Sequence, residues 1–146
     1  MKDTMADAFR AGEDHSVSDQ MAQIEVALKD LEGRGFHKVK GPLLQLVQTR
    51  SKPGRRNDLL AVLSNFQQFV DGEEATLAFG FFPDLEDADL VHSIQIYQDW
   101  EALRHHMVGL HYMKYLDAIL ECSIPEEITY RYGSNLFFHQ GKGIKR

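Results

Sequence analysis

The segment Pro42 to Arg50, PLLQLVQTR, most narrows what this chain can fold into. Read as a strand, it places Leu44 and Leu46 on one face and Leu43 and Val47 on the other. Strand side chains alternate sides, so apolar groups on both faces mean that both must be covered. Helices can cover one of them, and the other needs a second sheet.

The helices are legible nearby. SDQMAQIEVALKDLEGRG, from Ser18, offers a Ser or Asp cap, apolar residues at Met21, Ile24, Leu28 and Leu31, and glycines after the last turn. After the Pro-Gly turn of SKPGRRND, with Asn57 or Asp58 as start signal, Leu59, Val62, Leu63, Phe66, Phe69 and Val70 recur at helical spacing. Asp99 caps a third helix with a stripe of Trp100, Leu103, Met107 and Leu110, which Gly109 bends or interrupts. A fourth turns Tyr112, Tyr115, Leu116 and Ile119 inward and is stopped by Pro125.

Three more strands complete the inventory. ATLAFGFF, Ala75 to Phe82, alternates Leu77, Phe79 and Phe81 against the small Ala78 and Gly80, whose face has room for a ligand or a bulky neighbour. VHSIQIYQ, Val91 to Gln98, follows an acidic loop and suits antiparallel pairing with it, and EITYRYG, Glu127 to Gly133, is the last. Strand, helix, strand, strand, helix pair, strand is the βαββαβ order of an α+β, ferredoxin-like sandwich. A second copy of the sheet is the economical cover for its open face, which predicts a homodimer.

The expected organisation is a tail and amphipathic helix over residues 1–40, a core domain over 41–133 and a C-terminal extension over 134–146. Residues 1 to about 17, poor in large apolar groups, read as a mobile tail. In NLFFHQGKGIKR, Leu136, Phe137 and Phe138 are exposed unless they dock. A net charge of −6, without basic runs interleaved with aromatics, argues against nucleic acid. No apolar run approaches the roughly 18 residues of a membrane span and the N-terminus lacks a leader's apolar centre, so no membrane partner is expected. One cysteine, Cys122, leaves no internal disulfide and fits a reducing, cytoplasmic setting.

Residues 42–133, with KPGRRNDLL after the first strand, a glycine before EEATLAFGFF, the acidic loop and IQIYQDWEALRHHMVGLHY, resemble the antibiotic-biosynthesis monooxygenase family of dimeric α/β barrels. The family's aromatic strand end, acidic cap, Ala-Leu pair and histidine fall on Tyr97, Asp99, Ala102 with Leu103, and His106, and its later histidine-aromatic stretch on Leu110 to Tyr112. Gln95 stands where many members carry Glu, so their charged network does not carry over. The resemblance implies a small oxygenase that acts on a phenol, quinol or polycyclic aromatic substrate without metal or flavin. The alternative reading is a non-catalytic dimer of the same fold that binds a small aromatic or apolar ligand or a partner. The haem-degrading branch would need Asn, Trp and an axial His where this chain, aligned without gaps, has Val47, His106 and Leu116, which disfavours it.

The histidines are told apart by phase. His106 lies three residues beyond Leu103 and shares the inward stripe, whereas His105 lies four beyond Glu101 and points outward. His106 is therefore either a hydrogen-bonded brace of the helix end or the base or donor that meets a substrate oxygen. His111 begins the next helix and is the weaker candidate for lining the site. Trp100, Tyr112, Phe79 and Phe81 are candidate substrate contacts, each a core residue first. Spacings of one and five between the histidines, with Gly109 between, do not make a helical metal site.

Overall fold

The computed structural model describes residues 17–134. The expectations for residues 1–16 and for the tail after Ser134 lie outside them. Its elements are α1 (Val17–Gly33), a 3₁₀ turn (Phe36–Lys38), β1 (Leu43–Arg50), α2 (Arg56–Val70), β2 (Thr76–Pro83), β3 (Leu90–Tyr97), α3 (Trp100–Met107), α4 (Leu110–Cys122), a second 3₁₀ turn (Pro125–Glu127) and β4 (Thr129–Ser134). The four strands form one antiparallel sheet in the order β2-β3-β1-β4. This is the α+β, ferredoxin-like arrangement expected from the element order.

The pairing register sorts the strand residues into two faces. Leu43, Gln45, Val47 and Thr49 of β1, Val91, Ser93, Gln95 and Tyr97 of β3, Phe79 and Phe81 of β2 and Tyr130 and Tyr132 of β4 lie on the helix side. Leu44, Leu46, Ile94, Ile96 and Phe82 lie on the side that no described element covers. Leu46 and Ile94, directly paired, are 40% and 38% exposed, and Phe82 is 50%. A concavity of about 470 Å³ lies over them, lined also by Gln48, His92, Thr129 and Arg131.

The N-terminal helix belongs to the core. Its buried Ile24, Ala27, Leu28 and Leu31 share one apolar cluster with Leu43, Tyr97, Trp100, Leu103, Met107, Met113 and Leu116. Gln20 Nε2 donates to the Met113 carbonyl at 3.4 Å, and Phe36 after the helix packs on Tyr132 with ring centroids 5.0 Å apart. Gly35, at φ 86, supplies the left-handed turn that redirects the chain after α1. A second cluster under α2 holds Leu59, Leu63, Val91 and Cys122, with Phe79 and Phe81 packed against it.

Several local expectations need correction. Leu110 is 67% exposed because the break at Gly109 restarts the helical phase. Phe69 is 40% exposed at the edge of α2, where His111 stacks on it. A register shift between Thr76 and Ala78 turns Leu77 away from Phe79 and Phe81, leaving it 41% exposed. Neither Asn57 nor Asp58 caps α2, which follows Arg55 without a side-chain cap, and Ser18 and Asp19 fall inside α1. Asp99 does cap α3, accepting from the Ala102 N–H at 2.8 Å.

The acidic loop between β2 and β3 is held on all sides. Arg50 meets Asp87 at 2.8 Å, and Arg56 donates to the carbonyls of Asp84 and Asp87 at 3.0 and 2.8 Å. Asp84 receives His92 at 2.7 Å together with the N–H groups of Glu86 and Asp87. The His92 bond, followed by the two backbone donors, lowers the Asp84 carboxyl to about 2.

Candidate active site between the sheet and the helices

His106 comes from the last turn of α3 and faces the sheet. It is 4% exposed, while its neighbour His105 is exposed. Its ring lies among Phe66 of α2, Tyr97 of β3 and Tyr112 of α4, with centroids 5.5, 5.3 and 5.2 Å away. Of these three rings, Phe66 and Tyr97 are buried and Tyr112 is half-buried.

The loop between α2 and β2 supplies the partner. Both carboxylate oxygens of Glu73 lie 3.0 Å from His106 Nδ1. The Glu73 N–H donates to the Val70 carbonyl, and the Thr76 N–H donates to that of Glu73, so the loop is tied at both ends. The side chains differ in depth: His106 is 2% exposed and Glu73 is 30%. Glu73 also borders an open concavity of about 650 Å³ shared with Glu74, Thr76, Asp99, Glu101 and His105. With Nδ1–H donating to the carboxylate, Nε2 is the basic nitrogen, and among the described residues it is buried without a hydrogen-bond partner. A buried imidazole oriented by a carboxylate, with its second nitrogen unengaged, is the arrangement of a general base.

Beyond Tyr97 the surroundings stay polar. Its hydroxyl donates to Gln95 Oε1 two residues back on β3. Burial pushes the Tyr97 phenol well above its usual value, and the Tyr112 phenol, the Glu73 carboxylate and the Tyr132 phenol add to the effect, so it stays a neutral donor. Gln45 Nε2 donates to the Tyr132 hydroxyl at 3.2 Å. Where the family resemblance would put a charged network through the Gln95 position, this chain has neutral amide and phenol pairs.

Of the residues singled out from sequence, His106 and Tyr112 meet directly. Phe79 stands one ring removed, 5.5 Å from Phe66, and Phe81 packs on Phe79 at 6.1 Å. Trp100 is buried and meets His37 edge-on at 6.5 Å. His111 is exposed and stacked on Phe69 at 4.4 Å. Glu73, Gln45, Tyr97 and Tyr132 went unnamed as site residues. Gln45 carried a signal, a polar residue inside the inward phase of Leu43 and Val47, whereas Glu73 meets His106 only through a loop and carried none.

Among the described residues no group of three His, Cys, Asp or Glu side chains converges as a metal-binding set. Leu116 and Val47, at two of the positions a haem degrader would use, are buried apolar residues without a ligating atom. Cys122 is buried, and desolvation raises its thiol. No helix among the described residues is long and apolar enough to cross a membrane.

No family model matches the chain, and no curated relative does. Solved structures do. A candidate antibiotic biosynthesis monooxygenase from Caulobacter crescentus CB15 aligns at TM-score 0.65 and 12% identity, over 73% of this chain and 98% of that one. A candidate antibiotic biosynthesis monooxygenase from Chloroflexus aurantiacus aligns at 0.60 and 13%, over 68% and 97%. SnoaB, a cofactor-independent oxygenase from Streptomyces nogalater, aligns at 0.57 and 10%, over 71% and 99%. At such identities the likeness is one of backbone, and it establishes that this chain has the ferredoxin-like fold of the antibiotic-biosynthesis monooxygenase structures.

Proposed function

We propose that this chain is a homodimeric oxygenase that acts on a phenol, quinol or polycyclic aromatic ketone with dioxygen as the oxidant and no bound cofactor, and that His106 is its base. The observation that carries this reading is buried His106 paired with half-buried Glu73, 3.0 Å away at Nδ1, with Nε2 unengaged. A cofactor-independent oxygenase among the structures of the same fold supports the choice of reaction.

His106 Nε2 takes the proton of an activated methylene or hydroxyl, and Glu73 holds the imidazolium that forms. The electron-rich anion that remains reduces dioxygen itself. At a methylene carbon, one oxygen atom stays as the carbonyl, and the other leaves as water with the two hydrogens. The proton borrowed by His106 returns to that departing oxygen, so the enzyme ends as it began. The protein contributes proton transfer, worth roughly 10² to 10⁴ in rate, and a water-poor setting for the anion. Tyr112, half-buried beside His106, is the most accessible of the three rings around the imidazole.

The uncovered face with Leu46, Ile94 and Phe82 supports the dimer, since paired sheets would bury it. The single cysteine, Cys122, is consistent with a reducing, cytoplasmic setting. Substrate-dependent oxygen uptake with a panel of quinols and hydroxylated polycyclic ketones tests the reading. His106→Ala is expected to lower turnover by about 10² or more, and His105→Ala to leave it unchanged. Wild-type protein that binds these compounds and consumes no oxygen with any of them would instead be the ligand-binding dimer.

A further inference from the structure

Under the helices, the two central strands present polar side chains where packing alone favours apolar ones. Gln45, Thr49 and Ser93 are buried, and Gln95 is half-buried. Gln45 stands directly opposite Gln95 on β3 and Tyr132 on β4, so one row of hydrogen-bonding groups crosses three strands. Phe79 opposite Gln95 closes it on the β2 side. The row reaches the proposed base through Tyr97, bonded to Gln95 and ringed against His106 at 5.3 Å.

Such a row is costly as structure alone. A buried amide must find partners, whereas a leucine of similar size at the same place would pack without that demand. Each carboxamide carries two N–H donors and a carbonyl acceptor, more than the single bond that Gln45 makes to Tyr132 or Gln95 makes to Tyr97 uses. Directly opposed residues of antiparallel strands stand roughly 5 Å apart, so the two amides address two points on a ligand.

We propose that Gln45 and Gln95 are the specificity element of the site: their carboxamides hydrogen-bond two oxygens of an aromatic substrate and select an oxygenated ring system over the bare hydrocarbon. The inference takes from the oxygenase reading the location of the site at His106 and the class of substrate, and it adds the two residues that recognise the substrate's oxygens. Each amide keeps hydrogen-bonding capacity beyond its one bond, which an oxygenated ligand can take up and a hydrocarbon cannot.

Binding without turnover tests it. Trp100, the sole tryptophan and buried in the adjoining core, reports occupancy by its fluorescence. Naphthohydroquinone under argon is compared with naphthalene. Wild type is expected to bind the diol at least about tenfold tighter, and Gln45→Leu and Gln95→Leu to reduce that preference to about threefold or less while binding naphthalene as well or better. If either leucine variant does not fold, Gln45→Asn or Gln95→Asn, which withdraws the amide by one methylene, is expected to erode the preference as well. A preference unchanged in folded variants, or wild type that favours neither compound, overturns the proposal. Selective binding without oxygen uptake would leave it standing and remove only the oxygenase reading.

Discussion

The two faces of the sheet break the usual rule in opposite directions. The face under the helices is buried and yet presents Gln45, Thr49, Ser93 and Gln95, while the bare face is solvated and yet presents Leu46, Ile94 and Phe82. Polar groups kept in a core and apolar groups kept on a surface both cost stability in an isolated monomer. On the proposed reading, the first face carries the chemistry and the second the assembly.

Charging the bare face gives the largest expected effect. Leu46→Lys with Ile94→Lys places like charges on directly paired neighbours and is expected to weaken a dimer by about 10³ or more, read by light scattering as a fall to the 16.7 kDa monomer. Wild type that is already monomeric at micromolar concentration would remove assembly from the comparison. Next comes the apolar part of the covered side: Leu28→Ala in α1 should cost about 3 kcal/mol and lower Tm by roughly 10 °C. A Tm that hardly moves would mean that α1 is only loosely held. Glu73→Gln, which keeps a hydrogen-bonding partner and removes the charge, is expected to lower turnover about tenfold with Tm nearly unchanged, measured as oxygen uptake beside thermal melting. An equal response at Glu74→Gln would sink the specific role of Glu73.

The smallest effect lies in the acidic loop. The Asp84 carboxyl is lowered to about 2 in the folded chain, so its contribution is complete above its ordinary value near 4 and is lost as pH falls between those limits. Asp84→Asn is expected to remove that acid dependence, followed by loop amide exchange between pH about 5 and 2. Because Asp84 is only half-buried and its charge is screened by solvent, global stability at neutral pH should hardly change.

The fold was legible because alternation and helical periodicity carry it. The inward Leu43 and Val47, the outward Leu46 and the buried His106 beside an exposed His105 follow from phase alone. Phase failed where the backbone resets it: the break at Gly109 turned Leu110 outward, and the bulge before Ala78 put Leu77 out of step with Phe79 and Phe81. The site was legible only in part. His106 and Tyr112 lie six residues apart and meet through a local turn, whereas Glu73 lies 33 residues from His106 and meets it only after the sheet has formed.

The tethered loop before β2 has a consequence for how this molecule tolerates change. Glu73 is held between the end of α2 and the first pairing of β2, Thr76 with Tyr97, and the Gln98 N–H bonded to the Ala75 carbonyl at 2.8 Å reinforces the second tether. Its place opposite His106 is thus a matter of counting as much as of chemistry. Loop residues that face water, such as Asp71, are free to drift in identity, while deletion of one residue between Asp71 and Ala75 would leave every strand paired and pull the carboxylate off the imidazole. The length of that loop, as much as the identity of Glu73, is thus expected to decide whether a carboxylate reaches the imidazole.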